Sequence, residues 1–465
     1  MSATASRHVA VDLGASGGRV ALGTIADGNL AVEILHRWPH AGVSVRGRLY
    51  WDVLAIWKEI LHGLSLAPND TLSVGVNTWG VDYGLIDEGG ALIEGVHHYR
   101  CARNDRPFEE VRARLGDELI YGETGIQFMP FNTIFQLAAH KQESPKLFAA
   151  ADRLLMLPDL FHYWLSGAKA NERTIASTSQ LYDPSTRTWS ETLLSALDLP
   201  RSLFGSLSDP GTVLGSLQEA LAEETGLCQA KVVLPASHDT ASAVAAVPSV
   251  GDDWAYVSSG TWSLVGVETN TPFLSEEARA ANLTNEAGVR GTTRLLKNVM
   301  GLWILQECRR AWGNVPFDEL YAEAEAYETG DFLGMPFDPD ALEFLHPGTD
   351  MPERVLRALG WEASRGEIVR AILESLAQRT AEVVDSLERV TGRTIRTIHI
   401  VGGGSQIDLL NRLIRYHTRR KVVAGPIEAT LMGNLLVQAE AMGTIPKGSI
   451  REMVRSCTEL KTYEL

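Results

Sequence analysis

The sequence predicts two α/β domains in tandem, residues 1–245 and 246–465, and three observations carry that reading. A chain of 465 residues is longer than one hydrophobic core ordinarily serves. Each half contains two short β runs around a turn of small residues: "HVAVDLGASGGRVALGTI" early and "WAYVSSGTWSLVGVE" (Trp254–Glu268) late. Each half also has a helix that feeds a strand and then a glycine turn, a repeat of half-chains rather than a short-period array. The boundary falls in "VAAVPSVGDD" (Val244–Asp253), where Pro, Gly and Asp cluster.

The elements follow in order. "HVAVDL" and "RVALGTI" are β-branched apolar runs, and "ADGN" (Ala26–Asn29) is a turn into "LAVEIL". In "YWDVLAIWKEILHGL" (Tyr50–Leu64), Val53, Ile56, Trp57, Ile60 and Leu61 recur at helical spacing, with Asp52 placed to cap the start. "TLSVGVNTWGVDYGLID" reads as strand, Trp-Gly corner, strand. "RLLMLPDLFHYWLSG" (Arg153–Gly167) reads as strand into helix, with Pro158 in the first turn. Late in the chain, Arg365–Val390 forms a long amphipathic helix with Ile368, Ile372, Leu376, Val383, Val384 and Leu387 along one stripe. It runs into "TIRTIHIVGGGSQIDLLNRLI", which reads as strand, triple glycine, helix.

Composition excludes several classes. The chain is 45% apolar and 22% charged, as in globular proteins, and no apolar run reaches membrane-spanning length. The N-terminus has no long apolar segment of the secretory kind. Four scattered cysteines suggest neither a zinc site nor a disulfide framework, and a reducing cytoplasm is expected. A net charge of −16 disfavours nucleic acid as partner. It allows an anionic small ligand where backbone N–H groups and Mg²⁺ supply positive charge.

"GASGGR" (Gly14–Arg19) matches the letters of the G-x-S-x-G nucleophile elbow. That elbow requires a strand-to-helix turn, and here a strand follows, so Ser16 is not expected to be a nucleophile. The alternatives are an ordinary glycine hairpin or a turn whose backbone N–H groups meet a phosphate, with Ser16 and Arg19 as further donors. "SSGTWS" offers Ser258, Ser259, Gly260 and Thr261 in the same manner. Neither is a Walker A loop. Gly402-Gly403-Gly404 follows a strand and precedes a helix. Ile407 stands where a dinucleotide fingerprint needs its third glycine, so a mononucleotide lying against these glycines is the better reading.

Asp239, in "ASHDTASAV", is either the N-cap of a small-residue helix or a base that takes a proton from an attacking hydroxyl; the two roles are compatible. Trp79, Gly80 and Asp82 in "NTWGVDYG" combine an indole, bare backbone and a carboxylate, a sugar-binding palette that a core Trp and a turn Asp would equally explain. Asn298 and Gln306 in "NVMGLWILQE" are polar members of an otherwise apolar pattern, suited to capping or to a ligand. His97-His98 has no evident third ligand for a metal.

Taken together, these stretches resemble the FGGY carbohydrate kinases. The resemblance rests on collinear motifs over nearly the whole chain: "VDLGASGGRV", "NTWGVDYG", "GIQFMPFNTIFQL", "PDLFHYWLSG", "NERTIASTSQLYD", "SHDTASAV", "SSGTWSLVG", "NLTNEAGVRGTTRLLKNVMGLW" and "VGGGSQIDLLN". It implies two actin-like (ribonuclease H-like) α/β domains around a deep cleft, ATP and Mg²⁺, and phosphoryl transfer to the 1-hydroxyl of a ketose. L-Rhamnulose is the expected ketose, with L-fuculose and L-xylulose as alternatives and a non-catalytic sugar or nucleotide sensor as the rival class. By the same resemblance Asp239 is the general base. Ala15, Ser16, Gly17, Gly18 and Arg19 form the ATP-phosphate hairpin, with Gly260 and Thr261 as a second phosphate contact. Gln306 and Gly403, with Gly402 and Gly404 beside it, hold the nucleotide. Gly80, His238, Thr240 and Asn298 touch the sugar, joined by Trp79 and Asp82. Asp12 would meet Mg²⁺ through water. The chain departs from the pattern at Gly17, where a serine is usual, and at Asn77 and Cys101, where carboxylates are common. The last two are expected on the sugar side.

Overall fold

The computed structural model describes residues 5–327 and 336–464. Two compact units emerge: Met1–Ala246 with Glu268–Arg294 and Ala429–Cys457, and Val247–Val267 with Leu295–Glu428 and Thr458–Leu465.

The first unit is built on β1 (Ser6–Gly14), β2 (Gly17–Ala26), β3 (Asn29–Pro39), β4 (Ser73–Thr78), β5 (Val213–Ser216) and β6 (Lys231–Val233), in the order β5-β6-β4-β1-β2-β3. β1 pairs antiparallel with β2 and parallel with β4; β4 pairs parallel with β6, and β5 closes the edge antiparallel. Val9, Ala10, Val11 and Leu13 have no exposed surface, as a central strand covered on both faces requires. Asp27 and Gly28 join β2 to β3 with φ of 49° and 78°, the left-handed pair of a tight hairpin turn.

Helix Val53–Ser65 starts where Asp52 accepts the Ala55 N–H at 3.0 Å, and it buries Val53, Ile56, Ile60 and Leu64 in the core under this sheet. Helix Leu157–Ser166, with proline in its first turn, adds Leu157, Leu160, Phe161 and Leu165 to the same core. Helix Ala429–Ala441 also belongs here, though it is nearly two hundred residues distant in sequence. A Cβ on Gly433 would lie 1.8 Å from the Ser242 carbonyl, so glycine lets this helix lie directly on helix Asp239–Ala245.

The second unit repeats the plan with β7 (Trp254–Ser259), β8 (Ser263–Thr269), β9 (Thr397–Val401), β10 (Lys421–Ala424) and β11 (Lys461–Tyr463). β7 pairs antiparallel with β8 and parallel with β9; β9 pairs parallel with β10, and β11 closes antiparallel. This is the pairing of β2-β1-β4-β6-β5, so the repeat read from the sequence exists as topology. Helix Arg365–Thr391 opens with a reciprocal Ser364–Glu367 capping box and ends at Gly392, φ 68°. The expected stripe from Ile368 to Leu387 is buried. The chain's last helix, Ile450–Cys457, belongs to the first unit, and β11 to the second. All four cysteines are free, and among the described residues no helix is long and apolar enough to cross a membrane.

Candidate active site

In the first unit, β1 and β2 close through Gly14 opposite Gly17, leaving Ala15 and exposed Ser16 as a two-residue turn. A strand follows, so the context of a nucleophile elbow is absent. The glycines after the turn answer to packing. A Cβ on Gly18 would meet the Trp38 ring at 2.2 Å, and one on Gly17 would meet the Trp38 carbonyl at 2.6 Å.

Strand register then builds a polar floor. Asp12 stands opposite Arg19 across β1/β2 and beside Asn77 across β1/β4. Its carboxylate accepts from Arg19 Nη2 at 2.5 Å and Asn77 Nδ2 at 2.6 Å, and Asn77 Oδ1 accepts from Asn434 Nδ2 at 2.6 Å. Parallel pairing with β1 sets Asn77, which the resemblance put on the sugar side, next to Asp12. An amide there donates to Asp12, where a carboxylate would repel it. Both oxygens of Asp12 already hold donors, which suits contact with a hydrated cation better than direct ligation. Among the described residues no group of three or more His, Cys, Asp or Glu side chains is arranged to hold a metal ion.

After β6 the chain reaches His238 and Asp239. The turn is clamped by buried Glu172, which accepts from Ser237 N at 3.1 Å and from Thr174 Oγ1 at 2.5 Å; Thr174 Oγ1 in turn accepts the His238 N–H at 3.2 Å. Burial pushes the Glu172 carboxyl up to about 7. His238 occupies the N-cap of helix Asp239–Ala245, so Asp239 is the first helical residue and not the cap. Asp239 Oδ1 accepts from Thr240 N at 2.5 Å and lies 3.1 Å from Thr240 Oγ1. Its side chain is 30% exposed, against 8% for Asp12. Desolvation raises the Asp239 carboxyl above the ordinary range and Asp12 adds to the rise, while His238 and Thr240 oppose it.

The Trp-Gly corner follows β4. Asp82 is buried and accepts from Trp51 Nε1 at 2.6 Å, Trp79 Nε1 at 2.8 Å and Gln136 Nε2 at 3.0 Å; burial lifts its carboxyl to about 6. Trp51 and Trp79 pack 4.2 Å apart between ring centroids. Between Gly80 and Asp82, Val81 takes φ 67°, a conformation a β-branched residue adopts at a cost. Thr178 Oγ1 accepts its N–H at 3.0 Å and Thr133 Oγ1 donates to its carbonyl at 2.7 Å, which holds the strained backbone in place. Gly80 abuts Thr178, where a Cβ would be 3.1 Å from the side chain.

The second unit carries the other candidates. β7 and β8 close at Ser259 opposite Ser263, over Gly260, Thr261 and Trp262, with Gly260 N donating to Trp262 O at 2.9 Å. Thr261 Oγ1 lies 3.4 Å from Gln306 Oε1, so two residues 45 apart in sequence meet. The three glycines after β9 differ. Gly402 has φ 84°, and a Cβ on Gly404 would lie 1.9 Å from Ser259 Oγ, but at Gly403 it would meet nothing within 4 Å among the described residues. Gly403 alone faces open space, as a ligand-facing glycine should. Asn298 stands half-buried on strand Thr293–Val299.

Sequence reasoning gave no role to Glu286 and Arg294, which surround the His238 imidazole. Arg294 Nη2 and Glu286 Oε2 lie 3.0 Å and 3.2 Å from His238 Nδ1 and 3.0 Å from each other. Their signal was a charged residue inside each of two short β runs, "TNEA" and "TRLL".

Strand-end turns with glycine backbone and a partly exposed carboxylate with a raised pKa are groups that phosphoryl transfer to a hydroxyl can use. Residues 8–246 match the N-terminal domain of the FGGY family of carbohydrate kinases, and residues 255–442 its C-terminal domain. The chain belongs to the FGGY family of carbohydrate kinases and is a sugar kinase. It is 41% identical over 463 residues to the rhamnulokinase of Bacteroides thetaiotaomicron, covering 98% of this chain and 95% of that protein. Against the rhamnulokinase of Bacillus subtilis it is 37% identical over 466 residues, with 98% and 95% covered. The fold matches a ligand-bound xylulose kinase from Lactobacillus acidophilus with TM-score 0.82 at 15% identity, covering 99% of this chain and 94% of that one. It also matches a Plasmodium falciparum glycerol kinase with ADP, TM-score 0.76 at 15% identity, covering 98% and 94%. The two-domain actin-like α/β architecture is thus that of the sugar kinases.

Proposed function

We propose that the protein transfers the γ-phosphoryl group of ATP to the 1-hydroxyl of L-rhamnulose, with Asp239 as general base. One observation carries the reaction: of Asp12, Asp82 and Asp239, only Asp239 is partly exposed, while Asp12 and Asp82 are buried and committed to donors of the protein. A raised pKa suits a base that takes the hydroxyl proton late in transfer. The sugar is inferred from the rhamnulokinase relatives, similar over nearly the whole chain.

Each residue then has a task. Ala15–Arg19 would offer backbone N–H groups, the Ser16 hydroxyl and the Arg19 guanidinium to phosphate oxygens. A serine at position 17 would set its Cβ 2.6 Å from the Trp38 carbonyl, and the donor it would add, a neutral hydrogen bond, nets only about 0.5–1.5 kcal/mol. Thr261, Gln306 and Gly403 would hold the nucleotide. His238, Thr240, Gly80, Trp79 and Asn298 would orient the sugar, and Asp82 would act by fixing the indoles. Mg²⁺ carried on the phosphates would neutralise their charge, met by Asp12 through water. The test is ADP release with Mg-ATP over L-rhamnulose, L-fuculose and L-xylulose. Preference for L-rhamnulose is expected; preference for another ketose would reassign the sugar and keep the kinase.

A further inference from the structure

The imidazole of His238 lies between two charged systems. On one side is Asp239, Oδ1 3.3 Å from Nε2. On the other are Arg294 and Glu286, whose Nη2 and Oε2 are 3.0 Å and 3.2 Å from Nδ1. The backbone of His238 is fixed elsewhere, by its N–H to Thr174 Oγ1 and the bridge pairing it with Thr78. What the charged pair decides is which nitrogen holds the proton.

A guanidinium donates and never accepts, so an Nδ1 that takes the Arg294 N–H must present its lone pair. The ring proton then sits on Nε2, facing the Asp239 carboxylate. Glu286 is the competing partner: without Arg294 it would accept an Nδ1–H, and the Nε2 lone pair would turn toward Asp239. A repelling lone pair would replace a donor beside the base.

Arg294 has other marks of a retained group. Its side chain has no exposed surface, its Nε donates to Ala287 O at 3.1 Å, and its Nη1 is buried without a hydrogen-bond partner. An N–H of a buried cation left unsatisfied among the described residues costs stability, and the Arg294–Glu286 pair as a whole could give way to apolar residues at little loss. We infer that Arg294 is a positioning residue for phosphoryl transfer: it holds His238 in the Nε2–H tautomer, so that a donor and not a lone pair faces Asp239. The inference rests on Asp239 being the base.

Two-bond ¹⁵N–¹H spectra of the full-length protein labelled at histidine read the tautomer directly, with His238 assigned by its loss in H238Q. The wild type should show Nε2–H at His238; Nδ1–H there would overturn the proposal. R294L should show Nδ1–H and lose at least about tenfold in kcat, the usual scale for a group that orients a functional histidine. Unchanged kcat in R294L would overturn the proposal. Should R294L fail to fold, the charge-balanced R294L/E286L variant takes its place: with no acceptor competing at Nδ1, Asp239 alone should keep the proton on Nε2 and kcat should stay near that of the wild type. A tenfold loss of kcat there with Nε2–H in place would mark Arg294 as acting otherwise and overturn the proposal. Adding D239N gives the discriminating cycle. If Arg294 acts through Asp239, its replacement should cost little more once Asp239 is gone; full additivity would mark Arg294 as merely structural. A fully active D239N would remove the base reading instead, and leave the tautomer result standing.

Discussion

The two small-residue hairpins look alike in sequence and differ in chemistry. The Gly14–Gly17 turn of the first unit rises from a charged floor, with Asp12 between Arg19 and Asn77. The Ser259–Ser263 turn of the second unit is neutral. Its support is backbone and amide: Leu302 N to Gly260 O and Trp303 N to Thr261 O, each 3.1 Å, and Thr261 beside Gln306. The same topology therefore carries a charged floor under one turn and neutral support under the other.

The largest expected effect breaks the charged side alone. Asp239→Asn should lower kcat by about 10²–10⁴-fold, the range for a general base, and leave ATP affinity within about twofold. Stopped turnover with nucleotide titration measures both. Loss of ATP binding in that variant would give Asp239 a role in holding the nucleotide rather than that of a base.

Next come the glycines, which sort by what a Cβ meets. Gly18→Ala, against Trp38, and Gly404→Ala, against Ser259 Oγ, should each cost about 1–3 kcal/mol in chemical denaturation, as overpacking does. Gly14→Ala has only the Gly17 carbonyl nearby at 3.6 Å and should fold normally. A smaller effect separates binding from folding. Gly403→Ala should unfold like the wild type, yet raise the KM for ATP severalfold, since about 1 kcal/mol of lost contact is that factor. Unchanged KM would remove Gly403 from the nucleotide site.

The finest effect concerns pH. Asp12 raises the Asp239 carboxyl, and activity needs that carboxylate ionised, so turnover should climb with pH through a limb above the ordinary aspartate range. Removing one like charge in Asp12→Asn should move that limb to lower pH. Thr261→Val, in the neutral cradle, should lower activity without moving it. Profiles of kcat/KM for the sugar decide.

Much of this was legible locally. The β1/β2 hairpin, the Asp52 cap, the proline in the first turn of Leu157–Ser166 and the long stripe from Ile368 follow from neighbours within a few residues. The site's supports do not. Trp38 dictates Gly17 and Gly18 from an adjacent strand, and Asn77 reaches Asp12 through parallel pairing across more than sixty residues. Arg294 and Glu286 meet His238 only once strand Thr293–Val299 is in place. Asp82 offered the same letter as a sugar ligand, and only the two indole donors show that its carboxylate faces inward. Helix Ala429–Ala441 joins the first unit through Gly433 and a buried amide network, Asn434 to Asn77 and Gln438 to the Val9 carbonyl, which no periodicity announces.

The central claim, an L-rhamnulose kinase whose base is Asp239, meets its most direct test in ADP release with Mg-ATP and a ketose panel, with Asp239→Asn as the blank. The account predicts its highest kcat/KM on L-rhamnulose, and on every ketose a signal that falls to the blank when Asp239 is replaced. No ketose-dependent ADP release above that blank, from protein that still binds ATP, would contradict it.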